Sequence, residues 1–144
     1  MFYGETIEEV RKLYFDSWYK FQHNQLLTSL EQQLVDVIVL HPEYHSLLNN
    51  PETFQSQAYY PELGDTNPFL HMGLHLAIRE QIATDRPPGI RLCYTKLMRK
   101  HGDVLSVEHI MIEHLAEALW LSQKNNTPPD EGLYLRNLTN VSNQ

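Results

Sequence analysis

From Asn67 onward the chain reads Asn67-Pro68-Phe69-Leu70-His71-Met72-Gly73-Leu74-His75-Leu76-Ala77-Ile78, a helix start followed by a segment that is apolar on nearly every side. Asn67 suits the N-cap and Pro68 the first helical position, where φ is preset and a missing N–H costs nothing. The spacing therefore predicts a helix from Pro68 to about Thr84. With Phe69, Leu70, Met72, Leu74, Leu76 and Ala77 spread around it, such a helix must be packed on most sides. That requirement points to a central place in a bundle. Residues four apart share a helical face, so His71 and His75 project together, with Ile78 and Ile82 continuing their stripe.

The flanking sequence supplies the neighbours such a helix needs. Thr6-Ile7-Glu8-Glu9 and Thr28-Ser29-Leu30-Glu31 have the capping-box pattern, in which a threonine hydroxyl and a glutamate three residues on each satisfy the other's backbone N–H. The first opens an amphipathic helix to about His23, with Ile7, Val10, Tyr14, Trp18 and Phe21 on one stripe. The second opens a helix carrying Leu30, Leu34, Val37 and Ile38. Pro42 disfavours helical geometry at His41, which predicts a break there and a short helix over residues 43–48. Residues 51–67 show no firm period and read as one long irregular loop, either a lid or a stretch that holds a short element, with turn chemistry at Pro61 and Gly64-Asp65. Beyond Asp85-Arg86-Pro87-Pro88-Gly89, a helix from Ile90 to His101 stops at Gly102, and Ser106 is the N-cap candidate for a long helix to about Lys124. Thr127-Pro128-Pro129-Asp130 separates a last helix at about Glu131 to Leu138, and residues 139–144 read as a frayed tail. The pattern is all-α: a compact helical bundle of about five to six helices in a single domain over residues 1–144.

Composition narrows the partners. Eleven basic against 18 acidic residues give a net charge of −7, which offers no electrostatic footprint for a phosphate backbone and argues against nucleic acid. Wholly apolar runs such as Val37-Ile38-Val39-Leu40 fall far short of the roughly 20 residues of a membrane span, so no membrane partner is expected. The first residues carry no signal-peptide pattern, and the expected location is the cytoplasm. Cys93 is the only cysteine and sits on an apolar helical stripe, which makes it a core residue. There is no glycine-rich phosphate cradle and no nucleotide or flavin signature.

The chemistry that remains belongs to eight histidines, since imidazole ligates metal when neutral and charges near neutral pH. His71 and His75 would be two ligands from one helix, and His109 with Glu113, also four apart, two from another. A mixed imidazole and carboxylate set suits zinc, iron or manganese and leaves coordination positions open for water or substrate. Glu117, one turn after Glu113, would be a further ligand or would orient a histidine. Residue 72 is Met, not Glu, which excludes the zinc-protease helix, and the paired Glu-x-x-His motifs of a di-iron bundle are not present. His41 and His45, with Glu43, form an additional cluster, but His41 beside a helix end reads as a capping or surface residue drawn to the negative pole. A purely structural reading stands beside the metal one: His71 and His75 donate to carbonyls or carboxylates inside the bundle and bind nothing.

The combination of His41-Pro42-Glu43-Tyr44-His45, the Asn67 to Ile78 stretch, Asp85-Arg86-Pro87-Pro88-Gly89-Ile90 and Thr127-Pro128-Pro129-Asp130 resembles the bacterial domain-of-unknown-function 1841 family of small helical proteins, over nearly the whole chain. The resemblance implies a bacterial, cytoplasmic setting and brings no activity, substrate or cofactor with it. Three functions from different classes fit the residues. The first is metal-assisted hydrolysis, with an ion lowering the pKa of bound water and Glu113 or Glu117 handling protons. The second is a non-catalytic interaction module, its histidines structural, that presents an acidic surface or residues 51–67 to a protein partner. The third is a fold that responds to pH through clustered histidines.

Overall fold

The computed structural model describes residues 6–144, so the reading of the first five residues lies outside it. Among the described residues it shows eight α-helices, two single-turn 3-10 segments and no strand, which is the expected all-α class with a few more helices. Also among them, no helix is long and apolar enough to cross a membrane.

Both capping boxes form. At the start of α1 (Ile7–Gln22) the Thr6 hydroxyl accepts from the Glu9 N–H while the Glu9 carboxylate accepts from the Thr6 N–H. Thr28 and Glu31 repeat the exchange at α2 (Ser29–Val39). Glu31 has a second partner, the Lys20 ammonium at 2.6 Å, which ties the last turn of α1 to the first turn of α2. Pro42 breaks the helix as its chemistry demands, starting a 3-10 turn over Pro42–Tyr44 that leads into α3 (His45–Leu48).

Residues 51–67 are not one irregular loop but follow the other reading of that stretch, a segment with short elements. They hold α4 (Pro51–Phe54) and a 3-10 turn at Pro61–Leu63. Each is a single turn begun by proline, too short to show a hydrophobic period in sequence. The four remaining helices are α5 (Pro68–Thr84), α6 (Ile90–His101), α7 (Val104–Asn125) and α8 (Glu131–Ser142). Gly102 ends α6 at φ +67, the left-handed region expected of it. Helix α7 begins earlier than Ser106 because Asp103 is its cap, its carboxylate accepting from the Ser106 N–H and hydroxyl at 2.8 and 2.6 Å. Helix α8 runs on through the stretch expected to fray. Ser142 is buried and donates to the Thr139 carbonyl, and α6 holds the end through Lys96 Nζ on Asn143 Oδ1 and Lys100 Nζ on the Val141 carbonyl.

Contacts divide the chain into two compact units, one ending at Leu76 and one spanning Ala77–Gln144, and α5 contributes to both. The first unit closes over Tyr14, Phe15 and Trp18 of α1, Leu34, Val37 and Ile38 of α2, Leu48 of α3, and Phe69, Met72 and Leu76 of α5. Each such side chain contributes about 1.5–3 kcal/mol by leaving water. Arg11 is buried at the edge of this core. Its Nη1 donates to the carbonyls of Gln55 and Gln57 at 3.0 and 2.7 Å, and its guanidinium lies 4.9 Å from the Phe69 ring and 5.5 Å from that of Tyr59. The second unit buries Ile78, Ile90, Cys93, Leu97, Val107, Met111, Leu115 and Leu138. It also holds two polar links from α5: Gln81 accepts from the Tyr134 hydroxyl at 2.7 Å, and Arg79 Nε sits 3.1 Å from the buried Glu108 carboxylate.

The Lys20–Glu31 link gives this fold an acid-sensitive joint. Hydrogen bonds from the Lys20 side chain and then from the Thr28 backbone hold the Glu31 carboxyl below the usual carboxylate range. A lowered folded-state pKa adds stability that is present above the unfolded value and is lost as pH falls through the folded one. Urea unfolding from about pH 7 down to about pH 3 should therefore show Glu31→Gln to be less stable than the native chain at neutral pH, with the gap closing in acid. A gap independent of pH would contradict the assignment.

Candidate metal centre

The site begins with the cap of α5. Asn67 Oδ1 accepts from the Phe69 and Leu70 N–H groups at 3.0 and 3.3 Å, which fixes where the helix starts and hence which face its histidines occupy. His71 and His75 then meet one turn apart, with their Nε2 atoms separated by 3.2 Å.

A third imidazole comes from the end of α2. The residue before Pro42 cannot continue the helix, and His41 takes φ −126 and ψ 66. Its backbone N–H reaches the Ile38 carbonyl, and its ring Nδ1 donates to the Val37 carbonyl at 2.8 Å. A carbonyl accepts only from a protonated nitrogen, so in the neutral ring the lone pair lies on Nε2, the usual form of a metal-bound histidine oriented by its backbone. His41 therefore caps the end of α2, as its place beside a helix end predicts, but it is not a surface residue: it is 1 % exposed, and its ring lies 4.6 Å from that of His75 and 5.1 Å from that of His71.

The three rings meet edge to face. His71 and His75 are 4.8 Å apart at 83°, and His41 crosses them at 78° and 66°. The ligating nitrogens of His41, His71 and His75 lie within 4.8 Å of one another. Imidazoles that share a tetrahedral ion at about 2.0–2.1 Å place their nitrogens roughly 3.3 Å apart and their centroids roughly 5 Å apart. The His71 and His75 nitrogens match the first spacing at 3.2 Å, and the centroids of all three rings, 4.6 to 5.1 Å apart, match the second. A pair at 3.2 Å also satisfies an N–H···N hydrogen bond, which is the structural reading of His71 and His75. Such a bond gives no reason for a third ring pressed against both.

Tyr44 walls one side, stacked on His41 at 5.4 Å with 4° between the planes and 6.3 Å from His71. Burial, then the charge of Glu43 and the neighbouring Tyr59, raises its phenol above the ordinary value and keeps it a hydrogen-bond donor. His75 is fully buried and His71 half-buried.

Residues 6–140 match the family described as Domain of unknown function (DUF1841). The chain belongs to that family. No curated protein and no solved structure matches it. In this DUF1841 chain the other two residues of the expected ligand set, His109 and Glu113, lie one turn apart on α7 in the second unit and are both exposed, as is Glu117. His45 is committed elsewhere: its Nε2 meets the Ile38 carbonyl at 2.8 Å and its ring packs on Trp18. Cys93 is buried beside the Thr139 hydroxyl, as a core thiol would be.

Among the buried polar residues that the sequence reading did not place inside, His41 and Glu108 had a signal. His41 continues the stripe of Leu34, Val37 and Ile38 at helical spacing, and Glu108 sits on the stripe of Val107, Met111 and Ile112. Amide-free nitrogen NMR of the imidazoles tests the tautomer directly: His41 should show protonated Nδ1 and bare Nε2 in the metal-free protein, and the reverse pattern would dismiss the Val37 hydrogen bond.

Proposed function

We propose that this protein binds a divalent transition metal through His41, His71 and His75. The observation that supports the reading is the meeting of three imidazoles edge to face, with two of their nitrogens 3.2 Å apart and the ligand nitrogens of all three within 4.8 Å of one another. Three neutral rings suit zinc, and after it iron, better than manganese, which favours oxygen donors. From the helical spacing on α7 we carry His109 as a proposed fourth ligand and Glu113 as its proposed neighbour. The reaction that such a centre supports is hydrolysis, the ion lowering the pKa of a bound water and Glu113 or Glu117 accepting its proton. A bacterial cytoplasm is the proposed setting.

Protein purified without an affinity tag should contain about one ion per chain, and His71→Ala/His75→Ala should lose it. His41→Ala and His109→Ala, measured alongside, report on those two positions singly. Zinc at about 100 times its Kd should stabilise the native chain by about 2.7 kcal/mol and leave the double variant unchanged. Equal, substoichiometric metal in both proteins, with no stabilisation of either, removes the reading.

A second reading rests on Tyr60 and Leu63, large apolar residues exposed to 49 % and 76 % in residues 51–67. They would dock a protein partner, with the histidines serving only the fold. A stable partner captured by the native chain, lost on Tyr60→Ser/Leu63→Ser and retained by the double histidine variant, would favour this reading over the metal one.

A further inference from the structure

We propose a second binding site, in the groove between α7 and α8, that takes a small primary ammonium compound with an aliphatic body. It lies within the second unit and stands independently of the metal reading. A cavity of about 150 Å³ opens where the stripe of His114, Glu117, Leu121 and Asn125 on α7 meets Leu133 and Asn137 on α8. Such a volume holds about six non-hydrogen atoms, as a cavity that admits benzene does. The connection between the helices adds Thr127 to the wall and is fixed in place: the Thr127 N–H reaches the Ser122 carbonyl at 3.0 Å, and the Ser122 hydroxyl donates to the Thr127 carbonyl.

The chemistry of the wall selects the ligand. Glu117 and Asp130 line the cavity, and no lysine or arginine among the described residues does. Asp130 is engaged already: its Oδ1 caps α8 by accepting from the Leu133 N–H at 3.0 Å, and Arg136 Nη1 flanks the same point beside Gly132. Glu117 makes no hydrogen bond or ion pair among the described residues, and Lys124, two turns on, lies 4.9 Å from the Trp120 ring. His114 Nδ1 is buried and takes no hydrogen bond, whereas a buried polar atom in a native protein ordinarily has a partner. An ammonium group offers donors only, which suits a carboxylate, an imidazole lone pair and the oxygens of Asn125 and Asn137. The negative pole at the end of α7 favours the same charge. Leu121 and Leu133 would serve a hydrated metal ion poorly and an aliphatic body well. With Glu117 placed here, Glu113 is left to the metal reading.

Pentylammonium and pentanol match in size and differ in charge. In amide NMR titrations of the full chain at neutral pH, pentylammonium should give saturable shifts along the facing stripes of α7 and α8, and it should move the His114 Nδ1 signal. It should bind about fivefold more tightly than pentanol, the most that one exposed ion pair supplies. Glu117→Gln, at an exposed position, should remove that difference, and His71→Ala/His75→Ala should keep it, which separates this test from that of the metal. Equal affinities in the native chain, shifts outside the groove, or a preference that survives Glu117→Gln would overturn the proposal. Magnesium chloride that reproduces the shifts would assign the groove to a simple cation and overturn it as well.

Discussion

The hydrogen bond from His41 Nδ1 to the Val37 carbonyl makes a helix end into a directed donor. Pro42 stops α2, and the last carbonyls of a stopped helix need partners that the next turn would have supplied. The Val37 oxygen finds two, the Leu40 N–H and the His41 ring. One interaction thus closes the helix, chooses the tautomer and aims Nε2. Without it, His71 and His75 would be an ordinary pair on one helix face.

Helix α5 meets the demand of its sequence by serving two cores in turn. Phe69, Met72 and Leu76 enter the first, and Ile78, Arg79 and Gln81 belong to the second. The polar groups that this buries are matched as burial requires: the Glu108 carboxylate has Arg79, and the Tyr134 hydroxyl has Gln81. Burial raises the phenol of Tyr134 above its ordinary range, which favours the protonated form that donates to Gln81.

Features written in adjacent residues were legible in the sequence. The capping boxes at Thr6 and Thr28, the Asn67-Pro68 start, the break at Pro42 and the stop at Gly102 all depend on chemistry within about one turn. The end of α8 was not legible, because Lys96 and Lys100 hold it from 47 and 41 residues away. In the site, the His71 and His75 pair follows from helical spacing alone. The rule about helix ends found the capping role of His41 but not its burial, which the stripe on which it lies announces. Along α7 the difference between a buried and an exposed glutamate is a rotation about the axis: Glu108 falls under the core and Glu113 outside it. Spacing fixes which residues share a face, but only packing decides which way that face turns.

Arg11 gives the segment after α4 its geometry from outside. The carbonyls of Gln55 and Gln57 lie beyond any helical ladder, and a single guanidinium reaching out of α1 gathers both while resting on Phe69 and Tyr59. The order of that stretch is therefore inherited. Whatever loosens the first helix takes away the donor that both carbonyls share, and local opening of the stretch is thereby coupled to a helix far from it in the chain.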